Sequence, residues 1–191
     1  MHEISIRTAR ETDAAAIAAI YAPYVRDTAI TYEIIVPTER EMAMRVRETL
    51  TRYPFLVAQR GEDILGYAYA GAFSQRAAYQ HSAETTVYLA MENRGQGIGK
   101  RLYEALEEIL RRQGVLNLYA KIANAKGEDA FLPQGSLAFH RKQGFHPAGQ
   151  FTQCANKFGR WYDMVYMEKS IGEHGEQPPA FVPFSALTPP C

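Results

Sequence analysis

The stretch Arg94-Gly95-Gln96-Gly97-Ile98-Gly99 decides how the rest of this chain is interpreted. It follows the strand-like run Glu84-Thr85-Thr86-Val87-Tyr88-Leu89 and opens the strongest helical pattern in the sequence, which runs from Gly97 to about Arg112. The first amide N–H groups of a helix lack internal partners, and glycines let a phosphate approach the backbone closely. Lys100 adds a positive charge to the first turn. The stretch therefore predicts a pyrophosphate site.

Three phosphate-binding interpretations compete for this turn. A Walker loop requires G-x-x-x-x-G-K-[ST], a string that the sequence does not contain. A dinucleotide-binding turn requires G-x-G-x-x-G after the first strand of a parallel sheet, whereas this turn lies mid-chain and has Lys100 in the place of the last glycine. The third interpretation is an R/Q-x-x-G-x-G/A turn, which Arg94, Gly97 and Gly99 match in full. A strand–helix connection that binds no ligand remains the alternative.

Composition and charge exclude several classes of protein. The 191 residues suffice for one core, with 47% apolar and 22% charged residues as in ordinary globular proteins. Equal numbers of basic and acidic side chains, 21 each, argue against a nucleic-acid binder or a polybasic membrane binder. No apolar run reaches transmembrane length, and residues 1–6 lack a signal-peptide hydrophobic region. With Cys154 and Cys191 as its cysteines, the chain is expected in the reducing cytoplasm without a structural disulfide.

Hydrophobic periodicity predicts the element order β-α-α-β-β-β-α-β-α-β-β. The strands are predicted near residues 4–6, 55–58, 64–73, 84–89, 115–122, 151–158 and 160–168. The helices are predicted after a cap at Thr12 or Asp13, after the capping box Thr38-Glu39-Arg40-Glu41, from Gly97, and from Ser136 to Gln143. A single domain is expected over residues 1–170. The proline-rich residues 171–191 are expected to be an irregular tail, either disordered or lying on a neighbouring surface.

This order and four segments together resemble the GNAT N-acetyltransferases, and among them the phosphinothricin and methionine sulfoximine N-acetyltransferases. The segments are Tyr67-Ala68-Tyr69-Ala70-Gly71, Glu84 to Leu89, Arg94 to Gly99 and Gly159-Arg160-Trp161-Tyr162-Asp163. The resemblance covers about residues 4–169. It implies an α/β (α+β) fold with a mixed, mostly antiparallel sheet flanked by helices, and a homodimer.

The same resemblance implies direct transfer of acetyl from acetyl-CoA to the primary amine of a small amino-acid-like substrate. Two alternatives stay open. One is an acetyltransferase acting on a protein N-terminus or lysine, and the other is a non-catalytic acyl-CoA-binding module.

Residues for acetyl-CoA follow from the resemblance. Backbone groups of Val87, Tyr88 and Leu89 would contact the pantetheine arm. The pyrophosphate would be held by Arg94, Gly95, Gln96, Gly97, Ile98, Gly99 and Lys100. Relatives carry an asparagine three residues before the helix serine, where this chain has Pro133. Asn124, at the end of its strand, is the candidate to replace it.

Three catalytic candidates also follow from the resemblance. Glu84 matches the general base, and a carboxylate on a half-buried strand beside a cleft can accept the amine proton. His140 matches a helix histidine with a catalytic or pKa-tuning role, or it packs and forms hydrogen bonds. Tyr88 either meets the leaving sulfur or packs as a strand aromatic. The histidines show no ligand spacing with acids or cysteines, so no metal is expected.

Substrate-binding candidates lie mostly in loops. Arg76 and Tyr79 match positions that bind the amino-acid substrate in relatives, and an arginine fork suits a carboxylate or phosphinate. Tyr32 would wall the pocket, and each of these three could instead be a solvated loop residue. Lys157 and Arg160 also fall near the substrate side by resemblance.

Other positions depart from the relatives or carry a structural expectation. Ser74 stands where relatives often have a second cation, and the segment 124–134 is longer, near the mouth for the acceptor. Trp161 is expected in the core.

Overall fold

Seven strands form one sheet in the computed structural model, which describes residues 3–133 and 135–187. The sheet is ordered β1-β2-β3-β4-β5-β7-β6. The strands are β1 Ile4–Thr8, β2 Phe55–Arg60, β3 Asp63–Ala72, β4 Ser82–Leu89, β5 Asn117–Asn124, β6 His146–Lys157 and β7 Arg160–Ser170. Strands β4 and β5 are parallel, and the other neighbouring strands are antiparallel. This confirms the predicted mixed, mostly antiparallel sheet, although β5 lies two residues later and β6 begins five residues earlier than predicted.

Helices cover both faces of the sheet. They are α1 Ala14–Asp27, α2 Glu39–Arg52, α3 Ile98–Arg112 and α4 Ser136–Lys142. Alternate residues of β2 show the two layers: Phe55 and Val57 pack with α1 and α2, whereas Leu56 and Ala58 pack with α3. The element order predicted from the sequence is therefore confirmed.

Local signals set the helix ends. At the start of α2 the Glu41 amide donates to Thr38 Oγ1 at 3.2 Å and the Thr38 amide donates to Glu41 Oε2 at 2.7 Å, which confirms the capping box. Asp13 is the N-cap residue of α1, as predicted, but its side chain forms no capping hydrogen bond to the helix. The Asp13 carboxylate accepts from the Arg10 amide at 2.7 Å and from the Arg7 guanidinium, so it holds the preceding turn instead of the helix.

The sheet opens between β4 and β5. Their ladder consists of Ser82 with Asn117, Ala83 with Leu118, and Glu84 with Tyr119. Beyond Glu84, β4 stays paired with β3 as far as Leu89, and β5 stays paired with β7 as far as Asn124. The facing edges of β4 and β5 therefore diverge over five residues, and backbone groups with no partner in the opposite strand line a gap in the middle of the sheet.

The described part of the tail, residues 171–187, is largely irregular and lies on the chain's own surface. The Gln113 side chain donates to Val182 O at 2.9 Å, and the Val182 amide donates to Gln113 O at 2.9 Å. Phe181 is half-buried, with its ring centroid 5.8 Å from that of Tyr53 and the Arg52 guanidinium 4.5 Å from its centre. The tail thus covers the ends of α2 and α3. Cys191 lies outside the described residues.

Loss of the Phe181 ring is expected to loosen this tail. Phe181→Ala should lower the free energy of unfolding by about 2 kcal/mol, less than for a fully buried phenylalanine because the ring is half-buried. Urea denaturation measures the change. Glu176→Ala, an exposed change in the same segment, should stay within about 0.5 kcal/mol of the wild type. Equal effects of the two changes would show that the tail adds nothing through Phe181.

Candidate active site

Two adjoining cavities lie at the gap between β4 and β5. The first, of about 230 Å³, contains Glu84 and Lys121 and is called the Glu84 cavity. The second, of about 350 Å³, contains Arg94 and Gly95 and is called the Arg94 groove. Both are lined by Ile30, Val87, Ser136 and His140. A ligand in the groove and a ligand in the cavity would therefore meet at these shared walls.

The glycine-rich turn begins α3 at the end of the Arg94 groove. Gly95 and Gly97 have φ values of 76° and 78°, which side chains other than glycine rarely adopt. Gly97 is the N-cap of α3, so the following amides point out of the helix end without helical partners. This end, the divergent edge of β4 and a nearby arginine fit an elongated ligand that carries a diphosphate.

Tyr24 holds two parts of the groove together. Its hydroxyl donates to Leu89 O at 2.6 Å and accepts from the Leu89 amide at 3.3 Å. The same hydroxyl accepts from Arg94 Nε at 3.3 Å, and the Arg94 guanidinium lies 4.9 Å from the Tyr24 ring centre. The backbone groups of Leu89, predicted to contact the pantetheine arm, are thus already bonded to Tyr24, although Leu89 lines the groove. The contacts of Tyr24 cross 65 and 70 residues, so the local sequence pattern carries no signal for them.

The other residues predicted to bind the coenzyme differ in which of their groups can reach a ligand in the groove. The Ile98 side chain is fully buried, so only its amide can reach a ligand. Gln96 donates to Glu92 O at 3.2 Å, and Lys100 lies 3.6 Å from Glu104 at the surface. Asn124 pairs with Asp163 in the sheet and lines neither cavity, whereas Pro133 lines the groove.

Glu84 forms an ion pair with Lys121, a residue that the sequence pattern did not single out. Lys121 Nζ lies 2.6 Å from Glu84 Oε2, and the two side chains are 38% and 26% exposed. Burial lowers the pKa of Lys121, but the hydrogen bond and charge of Glu84 reverse this, so its pKa lies above the ordinary value. The parallel register explains the contact: Glu84 is opposite Tyr119, and Lys121 follows two residues later on the same face.

His140 is buried and has both ring nitrogens engaged. Nδ1 lies 2.8 Å from Ser136 O, which can only accept, so Nδ1 carries the proton. Burial lowers the pKa of His140, which favours the neutral ring. Nε2 then accepts from the Tyr103 hydroxyl at 2.9 Å, and burial raises the pKa of Tyr103, which keeps that hydroxyl protonated. His140 therefore joins α3 to α4 beside the two cavities.

Tyr88 packs within an aromatic cluster on the α1 side of the sheet. Its ring makes edge contacts with Tyr21 and Tyr24 at centroid distances of 4.9 and 4.8 Å. Burial raises the pKa of Tyr88 well above the ordinary value. The phenol therefore stays protonated, and Tyr88 also lines the Glu84 cavity.

Two substrate-binding candidates lie apart from Glu84 in this chain. Arg76 lines a separate groove beside Glu48 and Arg52, and it does not line the Glu84 cavity among the described residues. Tyr79 is 41% exposed and contacts Phe73, which in turn stacks on Tyr119.

Two further candidates, Tyr32 and Lys157, form hydrogen bonds around the cavity. The Tyr32 hydroxyl donates to Asp163 O at 2.6 Å. Lys157 Nζ donates to Thr31 O at 2.8 Å, and burial lowers the pKa of Lys157. Because Thr31 lines the Glu84 cavity, Lys157 lies behind its wall.

Arg160 holds the long segment that follows β5. Its guanidinium lies 2.8 Å from Asp129, and the Asp129 carboxylate also accepts from the Tyr162 hydroxyl at 3.2 Å. Leu132 and Pro133, at the end of this segment, line the Glu84 cavity and the Arg94 groove respectively. Trp161, expected in the core, is 61% exposed, so that prediction is wrong.

The described residues hold neither a membrane-spanning helix nor a cluster of metal ligands. No helix in residues 3–133 and 135–187 is long and apolar enough to cross a membrane. The same residues contain no group of three or more His, Cys, Asp or Glu side chains placed to hold a metal ion.

Comparisons with known proteins agree with this geometry. Residues 6–166 match the family described as acetyltransferase (GNAT) domain. The phosphinothricin N-acetyltransferase of Alcaligenes faecalis is 37% identical over 87% of this chain and 82% of its own length. The L-methionine sulfoximine/L-methionine sulfone acetyltransferase of Salmonella typhimurium is 30% identical over 90% of this chain and 96% of its own length.

A solved structure is similar in the same way. The GNAT superfamily phosphinothricin acetyltransferase (Pat) of Sinorhizobium meliloti, solved in complex with AcCoA, superposes with a TM-score of 0.84 and 33% sequence identity. The match covers 96% of this chain and 97% of that one. The chain therefore belongs to the GNAT family and is an acetyl-CoA-dependent N-acetyltransferase.

Proposed function

We propose that this enzyme acetylates the primary amine of a small amino-acid-like substrate, of the phosphinothricin and methionine sulfoximine type. The observation that carries the proposal is the position of Glu84 in a cavity that shares walls with the groove at the glycine-rich turn. A cavity of about 230 Å³ suits a small acceptor better than the N-terminus of a folded protein. The relatives named for such substrates support the same conclusion.

Coenzyme binding falls to the Arg94 groove in this proposal. The amides after Gly97, together with Arg94 and Lys100, would hold the pyrophosphate. The divergent edge of β4 at Val87 would hydrogen-bond the pantetheine arm as a neighbouring strand would. Acetyl-CoA supplies the activated acetyl group.

Glu84 acts as the general base. An ammonium has no free electron pair, so the acceptor must lose a proton before its nitrogen can form a bond to the acetyl carbon. The Glu84 carboxylate takes that proton, directly or through water. The nitrogen then forms its bond to the acetyl carbon, the bond between that carbon and sulfur breaks with its electrons on sulfur, and the second proton lost by the nitrogen ends on the coenzyme A thiolate. Transfer is direct, and Cys154, exposed on β6, lies outside both cavities.

His140 and Tyr88 support the site structurally in this mechanism. His140 has both nitrogens engaged by Ser136 and Tyr103, and Tyr88 packs on Tyr21 and Tyr24. Both ring nitrogens of His140 are therefore occupied, and the ring of Tyr88 is held in place where it lines the Glu84 cavity.

A substitution at His140 separates a structural role from proton transfer. A glutamine can donate to Ser136 O and accept from the Tyr103 hydroxyl, so His140→Gln should keep kcat within about tenfold of the wild type. A lost proton-transfer group would instead cost about 10²- to 10⁴-fold. Steady-state kinetics at saturating acetyl-CoA measures kcat, and urea denaturation of the same variant shows whether the fold is intact. A loss of about 10²- to 10⁴-fold in kcat with an intact fold would show that His140 transfers a proton in the reaction.

Assembly, location and domain limits complete the proposal. We place the enzyme in the cytoplasm as a homodimer, with a catalytic domain over residues 1–170 and an accessory tail over 171–191. The exposed Phe151 and Trp161 on β6 and β7 support a covered face, with exposed fractions of 59% and 61%. Sedimentation of the purified protein tests the homodimer.

Release of coenzyme A thiol from acetyl-CoA tests the function. The assay should use phosphinothricin, methionine sulfoximine, a panel of other small amines, and a peptide with a free N-terminus. Amine-dependent release with a small amine is the expected result. Release with the peptide alone would show a protein acceptor. Acetyl-CoA binding without release in any arm would show a non-catalytic binding module.

A further inference from the structure

Lys121 is the one lysine or arginine among the described residues that line the Glu84 cavity. Its ammonium lies 2.6 Å from Glu84 Oε2, and 38% of its side chain is exposed. The cation therefore faces the same space as the carboxylate that receives the acceptor amine. No role in the mechanism above uses it.

The other acidic side chain that lines this cavity already has a partner. Glu33 also lines the cavity, but the Arg45 guanidinium donates hydrogen bonds to both of its carboxylate oxygens, at 2.8 and 3.0 Å. Arg76 lines a separate groove. Glu84 and Lys121 are thus the pair that a ligand entering the cavity can divide.

An α-amino acid carries the complementary pair of charges. Its ammonium and its carboxylate are attached to the same carbon, so they lie side by side as Glu84 and Lys121 do. We propose that Lys121 binds the α-carboxylate of the acceptor while Glu84 receives its amine. This inference rests on the proposed function, and it makes Lys121 the residue that selects α-amino acids over amines without an adjacent carboxylate.

Separating the Glu84–Lys121 pair costs little in this setting. Partly exposed ion pairs contribute little net stability, because water already screens them. The ammonium of a zwitterionic acceptor replaces Lys121 as the partner of Glu84, and its carboxylate replaces Glu84 as the partner of Lys121. Both side chains therefore keep a partner of opposite charge. An amine without a carboxylate would pair with Glu84 but leave Lys121 without an anion.

Kinetics with matched acceptors tests the inference. The acceptors are the best amino acid found by thiol release, its α-carboxamide and the corresponding decarboxylated amine. Lys121→Met removes the charge and keeps the apolar stem, Lys121→Arg keeps the charge, and Lys142→Met is the control at an exposed lysine on α4. The wild type should prefer the free acid. Lys121→Met should raise KM for the acid by at least about tenfold and leave the amide within about twofold.

Lys121→Arg should keep the preference for the free acid, and Lys142→Met should leave it unchanged. An equal loss on acid and amide would overturn the inference, because Lys121 would then act only through Glu84. Unchanged kinetics with every acceptor, or a wild type without preference for the acid, would overturn it too.

Calorimetry keeps the inference separate from the proposed function. Acid and amide are titrated into the complex of the protein with coenzyme A. Tighter binding of the acid, lost in Lys121→Met, would support Lys121 even if no amine were acetylated. Equal binding of acid and amide would overturn it whether or not the enzyme turned over small amines.

Discussion

Glu84→Gln is expected to lower kcat by about 10²- to 10⁴-fold, the range typical for loss of a general base. The amide keeps the size of the side chain and can stay within the cavity, but it cannot take a proton from the acceptor. Because Glu84 lies outside the Arg94 groove, the Kd for acetyl-CoA should stay within about twofold of the wild type. Thiol-release kinetics gives kcat, and calorimetry gives the Kd.

The control for this substitution is Glu62→Gln, an exposed acid in the turn between β2 and β3. It should have no effect on either measurement. A kcat for Glu84→Gln within a few-fold of the wild type would show that Glu84 is not the general base. The acceptor would then need another base in the cavity, and Glu33 would be the next residue to change.

Arg94→Ala is expected to weaken acetyl-CoA binding by roughly 10- to 150-fold, because hydrogen bonds to charged groups contribute about 1.5–3 kcal/mol. The substitution also removes the contact with the Tyr24 hydroxyl, which holds the Leu89 backbone at the end of β4. The value of kcat at saturating acetyl-CoA should fall much less than in Glu84→Gln. Calorimetry with acetyl-CoA measures the loss.

Arg141→Ala, at an exposed arginine on α4, controls for the loss of a positive charge from the surface. A second titration with desulfo-coenzyme A, which keeps the pyrophosphate, should show the same loss for Arg94→Ala. If both ligands bound Arg94→Ala as tightly as the wild type, the pyrophosphate would lie elsewhere, and the amides after Gly97 would be holding another part of the molecule.

Local sequence signals predicted much of the fold. The capping box at Thr38 and Glu41 starts α2, and Gly114, with a φ of 81°, follows the end of α3 as expected. The glycine-rich turn identified the start of α3 and, with it, the end of β4. Each of these signals depends on neighbours within a few residues, so it can be read without knowing the tertiary structure.

The details of the site depend on contacts between distant residues. Lys121 meets Glu84 across 37 positions of sequence because β4 and β5 are parallel, and Tyr24 reaches Arg94 across 70. Arg160 was predicted on the substrate side but pairs with Asp129. No periodicity in the sequence encodes such pairs, because each depends on how strands and helices come together. The resemblance pointed to Glu84 and the turn, but not to their partners.

The gap between β4 and β5 links the lifetime of this protein to the supply of its cosubstrate. Three residue pairs join the two halves of the sheet there, and the polar edge of β4 beyond Glu84 is open to a ligand. A ligand that binds only the folded chain stabilises it in proportion to the logarithm of its concentration, by about 2.7 kcal/mol at one hundred times its Kd. At a high concentration of acetyl-CoA the bound cosubstrate would therefore stabilise the folded enzyme. At a low concentration the enzyme would unfold more easily and be degraded sooner.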